Sequence, residues 1–305
     1  MADQHHQAGD IEASDWIDRH APGPARPYLR LARLDRLIGA WLLLLPCWWG
    51  LALAGAGVTE MRLFILFAIG AVIMRAAGCT INDMADRKFD VQVARTATRP
   101  LASGEVSMAR AGVFLALLLA AGLALLTAFN AITFVLALAA LPLVALYPFM
   151  KRITWCPQAF LGLTFNWGAL LGWTALRGEL ESAALALYGG AALWTLGYDT
   201  IYAHQDKRDD ALIGLKSMAL RLGVNTRPWL FVFYGGAVAG LAVAGWLAGL
   251  NAVFYAVLAV VTAHLFWQAA RVNTDDAADC LATFKSNLWT GLLVLAALFL
   301  GQGAL

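Results

Sequence analysis

The sequence predicts an all-α, polytopic membrane protein with about nine transmembrane helices. Of its 305 residues, 61% are hydrophobic and only 14% are charged, whereas a soluble globular domain carries about a quarter charged residues. The apolar residues are concentrated in blocks of about 17–22 residues, the length of helix that spans a hydrocarbon core of about 30 Å. A soluble fold would be built from shorter apolar segments, so composition and block length together exclude one.

Nine apolar blocks account for the predicted helices. They cover residues 38–56, 62–81, 109–129, 131–149, 158–176, 183–203, 228–248, 251–270 and 285–303. Pro142, Pro148 and Pro157 interrupt the fourth and fifth blocks, but neighbouring helices satisfy the carbonyl groups that a proline frees inside a membrane. The residues before these blocks are polar and acidic. We therefore predict an amino-terminal arm over residues 1–27, disordered or lying on the surface, and a single transmembrane domain over residues 28–305.

Basic residues are distributed asymmetrically among the loops. The arm and the loops after the second, fourth, sixth and eighth blocks collect most arginines and lysines, whereas the opposite side has only Arg62 and Arg177. Loops rich in Lys and Arg stay on the cytoplasmic side of a membrane. We therefore expect a cytoplasmic amino terminus and an odd number of spans. Because residues 1–27 are too acidic for a mitochondrial presequence and lack the apolar core of a signal peptide, we expect a bacterial inner membrane. Because the basic residues follow the loops, the net charge of +2 does not indicate nucleic acid as a partner.

Aspartates are grouped at the cytoplasmic end of the second block. If the helix continues past the membrane surface, Asp83, Asp86 and Asp90 lie at positions i, i+3 and i+7 and share one face. Asn82 lies one turn before Asp86. This segment is therefore expected to direct three carboxylates to one side.

A second acidic group follows the sixth block. On a continuous helix, Asp199, Asp206 and Asp210 lie at positions i, i+7 and i+11 and again share one face, with Asp209 off to the side. Each block with its motif is followed by a basic loop and two closely spaced blocks, a faint internal repeat. Two related halves with sites at corresponding helix ends are a known membrane architecture.

Aligned carboxylates indicate bound cations. Like charges on one face repel unless cations lie among them or water screens them. Mg²⁺ binds one or two carboxylates together with substrate phosphates, so two facing clusters would hold Mg²⁺ ions around a diphosphate. Charged membrane caps are the alternative, but such caps are mostly basic. Nearby cations would bind the remaining phosphate oxygens; the candidates are Arg87, Arg95, Arg99, Lys151, Arg152 and Lys216.

Three further residues are candidates for substrate contact. Arg75 lies within the second block about two turns before the acidic motif, and an ionisable residue at membrane depth usually faces a cavity or a partner. Snorkelling to the interface is the alternative for Arg75. Arg36 begins the first span and serves either the site or membrane topology. Tyr147, ahead of Pro148, faces the site or packs against neighbours. His204 is interpreted as a helix-end residue rather than a ligand.

At these residues the chain resembles the UbiA superfamily of intramembrane prenyltransferases, from about Arg30 to the end. The first acidic motif matches the family pattern NDxxDxxxD, and the second matches DxxxxxxDxxxD. Flanking segments are similar to the 4-hydroxybenzoate polyprenyltransferase branch; they cover residues 75–90, 95–101, 147–152, 198–200 and 214–217. Two features depart from the family. Leu37 stands where a proline often follows the arginine of the first span, and residues 207–209 are more basic than expected.

The resemblance implies helices around a central cavity, Mg²⁺ as cofactor, a polyprenyl diphosphate donor and 4-hydroxybenzoate as acceptor, in a membrane step of ubiquinone biosynthesis. The ring carbon next to the hydroxyl would attack the allylic carbon, with Asp199 as proton acceptor and Tyr147 facing the carbocation. Arg36 and Arg75 would bind the acceptor carboxylate. The implied metal ligands are Asn82, Asp83, Asp86, Asp90, Asp206 and Asp210.

Other functions remain open at this point. Within the superfamily the acceptor could be a naphthoate, a homogentisate, a haem or a chlorophyllide. A cation-coupled transporter would place its carboxylates near the bilayer midplane, whereas these lie at helix ends. The DGxxAR pattern of CDP-alcohol phosphotransferases is absent, and nine spans exclude a soluble terpene enzyme.

Overall fold

A computed structural model of the chain describes residues 16–94 and 96–303. All regular structure in these residues is helical. The α-helices are α1 Trp16–His20, α2 Arg26–Leu31, α3 Ile38–Leu53, α4 Met61–Asp90, α5 Met108–Leu126, α6 Ala131–Ala139, α7 Leu141–Ile153, α8 Pro157–Arg177, α9 Ser182–Ala203, α10 Lys207–Leu212, α11 Met218–Leu222, α12 Thr226–Leu247, α13 Ala252–Arg271 and α14 Ala277–Gly301.

Every predicted apolar block coincides with helix, which confirms the all-α, multi-pass membrane architecture. The fourth block is divided between α6 and α7, and Pro142 lies in the first turn of α7, where a missing N–H costs no helical bond. Among the described residues, seven helical segments are long and apolar enough to cross a membrane. The predicted count of nine is therefore not confirmed. The two predicted spans that are not among these seven segments are α3 and α9. Helix α3 has only 16 residues, and polar and small residues, such as Thr195, Gly197 and Thr200, lower the hydropathy of α9.

Part of the predicted amino-terminal arm is ordered into short helices. Ile17 in α1 is fully buried, and Nη2 of Arg30 in α2 lies 2.6 Å from a carboxylate oxygen of Asp18. Residues 1–15 lie outside the described part of the chain. The boundary at residue 27 and the single domain over residues 28–305 therefore stay predictions.

The chain forms two compact units. The first unit comprises the described residues of Met1–Gly39 and Val72–Leu125. Its core contains Leu31, Leu101 and Val106, so α2 and the segment after α4 pack into one cluster. This unit carries the first acidic motif, at the carboxyl-terminal end of α4.

The second unit comprises Ala40–Ala71 and the described residues of Leu126–Leu305. Helix α9 packs against α8, α12 and α14 and is the interior helix of this unit. Trp194 and Tyr198 of α9 are almost fully buried, and the indole Nε1 of Trp194 donates to Oδ1 of Asn287 at 2.8 Å. The second acidic motif starts near the carboxyl-terminal end of α9 and continues beyond it.

Glycines allow α3 and α8 to approach closely in the second unit. A Cβ atom at Gly172 would overlap the backbone carbonyl oxygen of Cys47, and one at Gly50 would overlap that of Ala169. Small residues at helix crossings let backbones come together, which is the usual basis of helix association in membranes.

Replacing Gly172 with alanine should destabilise the protein by about 1–3 kcal/mol. The obstructing atom belongs to backbone, which cannot rotate away as a side chain would. Thermal unfolding of the purified protein in detergent measures the effect. Gly235→Ala is the matched control, because a Cβ atom there meets nothing within 4 Å and alanine favours helix. Equal unfolding temperatures for both variants would contradict the close contact.

Candidate active site

The first acidic motif lies on continuous helix, as its spacing predicts. Helix α4 extends to Asp90, well past the apolar block that ends at residue 81. Asp83 and Asp86 are each 1% exposed and Asp90 is 7% exposed; these three residues are called the α4 acidic cluster below. Asn82 is half-buried. Three carboxylates withdrawn from water require compensating charge or hydrogen bonds.

Two arginines supply compensating charge to the α4 acidic cluster. Nη2 of Arg33 lies 2.9 and 3.0 Å from the two carboxylate oxygens of Asp83. Nη1 of Arg99 lies 3.2 Å from both oxygens of Asp90 and 3.5 Å from Oδ1 of Asp83. Charge-assisted hydrogen bonds of this kind are among the strong ones in proteins. Arg99, predicted to bind diphosphate, thus bridges two members of the cluster.

Arg33 is a site residue that the sequence analysis did not identify. It was interpreted only as one of the basic residues that indicate membrane topology. Its side chain is 9% exposed, and its backbone φ is +56°, in the left-handed region that disfavours side chains. Fifty residues separate Arg33 from Asp83, and no local pattern links them. The positive φ places Arg33 in the turn after α2, where the backbone N–H of Leu34 donates to the carbonyl of Leu29.

The segment after α4 returns to the helix end. The hydroxyl of Thr96 donates to the backbone carbonyl of Asp90 at 2.9 Å, which holds the segment bearing Arg99 against the cluster. Arg87 is exposed, and its Nε donates to the carbonyl of Leu101 at 3.2 Å. Arg95 lies outside the described residues, so its predicted contact with diphosphate stays a prediction.

The second acidic motif does not lie on one continuous helix, and that part of the prediction is wrong. Helix α9 ends at Ala203, and Asp206 is the residue before α10. The backbone N–H groups of His204 and Asp206 donate three residues back rather than four, a tightening that ends a helix. Asp199 therefore belongs to α9 and Asp210 to α10, and all three aspartates are half-buried.

His204 follows the last residue of α9 and contacts the start of α12. Its side chain is 6% exposed, and Nε2 lies 3.0 Å from the hydroxyl of Thr226 at the start of α12. Burial and the charge of Lys207 lower the pKa of His204 to about 4. The imidazole is therefore neutral at neutral pH and adds no positive charge beside the second motif.

Two predicted phosphate-binding lysines are brought together in the second unit. The backbone N–H of Lys216 donates to the carbonyl of Lys151 at 2.8 Å, and Nζ of Lys216 donates to the carbonyl of Ile153 at 3.1 Å. Arg152 follows Lys151 in the last turn of α7, with its guanidinium 5.3 Å from the ring centroid of Phe149. Tyr147 is half-buried in the same helix.

The two arginines predicted to bind an acceptor carboxylate lie in the first unit. Nε of Arg36 donates to the neighbouring carboxylate of Asp35 at 2.9 Å, which neutralises part of its charge. Arg75 is half-buried in α4, two turns before Asn82, and its guanidinium lies against Gly39.

The donor atoms of both motifs suit Mg²⁺. Carboxylate and amide oxygens are hard ligands, and Mg²⁺ uses only one or two carboxylates when phosphates and water complete its shell. Among residues 16–94 and 96–303, no three acidic, histidine or cysteine side chains are gathered around one point. In the α4 acidic cluster, the compensating positive charge comes from Arg33 and Arg99. Asn82 and Asp86 are the residues of this helix end that could hold the ion beside the pair of Arg33 with Asp83.

The sequence of this chain is similar to those of known proteins. The model of the UbiA prenyltransferase family matches residues 43–292. The mitochondrial 4-hydroxybenzoate polyprenyltransferase of Homo sapiens is 49% identical over 285 residues, covering 92% of this chain and 77% of that protein.

Solved structures give the same fold. A UbiA homologue from Aeropyrum pernix K1 is 26% identical, with a TM-score of 0.72 over 86% of this chain and 97% of that one. A UbiA homologue from Archaeoglobus fulgidus, bound to GPP and Mg²⁺, is 19% identical, with a TM-score of 0.64 over 88% and 99%.

Proposed function

This chain belongs to the UbiA prenyltransferase family, and from that premise we propose that it prenylates 4-hydroxybenzoate in ubiquinone biosynthesis. The polyprenyl group of a polyprenyl diphosphate would be transferred to the ring carbon ortho to the hydroxyl. The α4 acidic cluster carries the proposal of diphosphate chemistry, since its three carboxylates lie at one helix end beside Arg33 and Arg99, and Mg²⁺ combines one or two carboxylates with substrate phosphates. Similarity to the human enzyme supports the choice of acceptor.

The acidic motifs would hold the diphosphate end of the donor through metal. Bound Mg²⁺ would neutralise the negative charge that builds up on the departing diphosphate. In the first unit, Asn82, Asp86 and Asp90 are the proposed ligands. Asp83, which pairs with Arg33, is proposed as a further metal ligand. In the second unit, the proposed ligands are Asp206 and Asp210.

Lysines and arginines would bind the phosphate oxygens that metal does not reach. Lys151 and Lys216 are the best supported pair, because a backbone hydrogen bond of 2.8 Å holds their residues together. Arginine adds a planar fork that matches phosphate geometry. The remaining members of the proposed set are Arg87, Arg95, Arg99 and Arg152.

The acceptor would react as an electron-rich ring. The C–O bond of the allylic diphosphate breaks with its electron pair going to diphosphate, and the ring carbon forms the new C–C bond. Asp199 is proposed to take the proton that the ring carbon then loses, and the face of Tyr147 would stabilise the allylic cation. We propose that Arg36 and Arg75 are the cations that bind the acceptor carboxylate, since a guanidinium matches the geometry of a carboxylate.

We also propose a bacterial inner membrane as the location, with the amino terminus and both motifs on the cytoplasmic side. The asymmetry of basic residues between the loops supports this orientation. A long isoprenoid tail must lie in hydrocarbon, which accounts for an enzyme embedded in the bilayer.

Membranes that contain this protein should convert labelled 4-hydroxybenzoate into a lipid-soluble product when Mg²⁺ and a polyprenyl diphosphate are added. Extraction into organic solvent followed by chromatography measures the product. Membranes from the same host without the protein are the control. The position of the new bond, ortho to the hydroxyl, is checked by NMR of the purified product.

A panel of acceptors separates the enzyme class from its substrate. Dihydroxynaphthoate and homogentisate are tested beside 4-hydroxybenzoate under the same conditions. Conversion of another acceptor, but not of 4-hydroxybenzoate, would overturn the proposed substrate and keep a prenyltransferase. Absence of product with every acceptor, in membranes shown to contain folded protein, would overturn the proposed reaction.

A further inference from the structure

Gly39 lies directly against the guanidinium of Arg75. Gly39 is the second residue of α3, and a Cβ atom built on it would lie 2.6 Å from Nη2 and 2.7 Å from Cζ and Nε of Arg75. The three distances are nearly equal, so the guanidinium presents its planar face to Gly39 rather than its edge. The guanidinium thus occupies the space that a side chain at position 39 would fill.

This contact differs from those of the other glycines in the first unit. Cβ atoms at Gly78 and Gly112 would meet nothing within 4 Å, and one at Gly122 would meet the sulfur of Met74 at 3.3 Å. Alanine is favoured over glycine inside a helix by about 1 kcal/mol, so helix stability does not explain a glycine at position 39. The three atoms nearest to a Cβ atom there all belong to the far end of the flexible Arg75 side chain, so substitution should preserve the fold and move Arg75.

We propose that Gly39 is a positioning residue for the acceptor, because its lack of a side chain sets where the Arg75 guanidinium lies. This inference rests on the proposed function, in which Arg75 binds the acceptor carboxylate. A guanidinium binds carboxylate through two parallel hydrogen bonds in a fixed fork, so a shift of about 1 Å loses binding. Gly39 therefore favours phenols that carry a carboxylate over phenols that lack one.

Gly39→Ala should raise the KM for 4-hydroxybenzoate about tenfold, as expected when a positioned group is displaced by about 1 Å. The KM for the polyprenyl diphosphate and the thermal unfolding temperature should stay unchanged. With 4-methylphenol, which has no carboxylate, the variant and the wild type should convert the acceptor equally. Steady-state kinetics with each acceptor at saturating donor measures these effects.

Gly112→Ala is the matched control and should leave both KM values unchanged. A double-mutant cycle tests whether Gly39 acts through Arg75. Gly39→Ala should have no further effect in an Arg75→Gln background, where the obstructed group is gone. If Gly39→Ala alone does not fold, the double variant should fold, because the steric conflict is removed with the guanidinium.

Several results would overturn the inference. These are an unchanged KM for 4-hydroxybenzoate, an equal loss with 4-methylphenol, or effects of Gly39→Ala that persist in the Arg75→Gln background. If the wild-type protein converts 4-hydroxybenzoate and the Gly39→Ala variant has the same kinetics, only the proposed role of Gly39 is overturned. Wild-type protein that does not convert 4-hydroxybenzoate overturns the proposed function and this inference together.

Discussion

Prenyl transfer should fall by roughly 10²- to 10³-fold when Asp86 or Asp206 is replaced by alanine, the range seen when one group that stabilises transition-state charge is removed. Asp86 is 1% exposed and belongs to the α4 acidic cluster. Asp206 is the residue immediately before α10, at the second motif. Each change removes an oxygen ligand of the proposed metal sites. EDTA should abolish the activity of the wild-type protein, and added Mg²⁺ should restore it.

Asp209→Ala provides the control for this prediction. Asp209 lies in the same short helix as Asp210 and contributes similar charge, but it is not among the proposed ligands. Initial rates of product formation in membranes, normalised to the amount of folded protein, compare the three variants. The metal assignment would be wrong if EDTA, Asp86→Ala and Asp206→Ala all left the rate unchanged.

Arg33→Gln should destabilise the protein by about 3 kcal/mol, the lower end of the cost of breaking a buried ion pair, because Nη1 of Arg99 stays 3.5 Å from Asp83. Asp83 is 1% exposed, and both of its carboxylate oxygens accept from Arg33. Arg30→Gln is the matched control, because Arg30 pairs with Asp18, whose side chain is 31% exposed. A partly exposed pair of that kind contributes less than a buried pair. Thermal and denaturant unfolding in detergent measure both variants.

Two further variants identify the source of the effect of Arg33. Adding Asp83→Asn to Arg33→Gln should recover much of the lost stability, because no uncompensated charge then remains buried. Arg33→Gly should be less destabilising than Arg33→Ala by about 1–2 kcal/mol, since glycine adopts the left-handed backbone without strain. Equal stability of the Arg33→Gln and Arg30→Gln variants would contradict the buried pair.

The acidic motifs show how far local spacing predicts a site. The spacing of Asp83, Asp86 and Asp90 indicated one helix face, and α4 continues to Asp90. The same argument failed for the second motif, because the chain tightens after Ala203 and starts a new helix after Asp206. Periodicity describes a face only while the helix continues, and a few hydrogen bonds at its end decide whether it does.

The amino-acid sequence by itself determined the membrane architecture, the positions of the helices and the acidic residue types at two helix ends. These follow from apolar block length, which must match the hydrocarbon thickness, and from charge that cannot enter it. Only the tertiary structure decided which groups compensate those acids and which residue lies against the guanidinium of Arg75. Arg33 and Asp83 are 50 residues apart, and Gly39 and Arg75 are 36 apart. Contacts over such separations arise from packing between helices, and no local pattern in the chain encodes them.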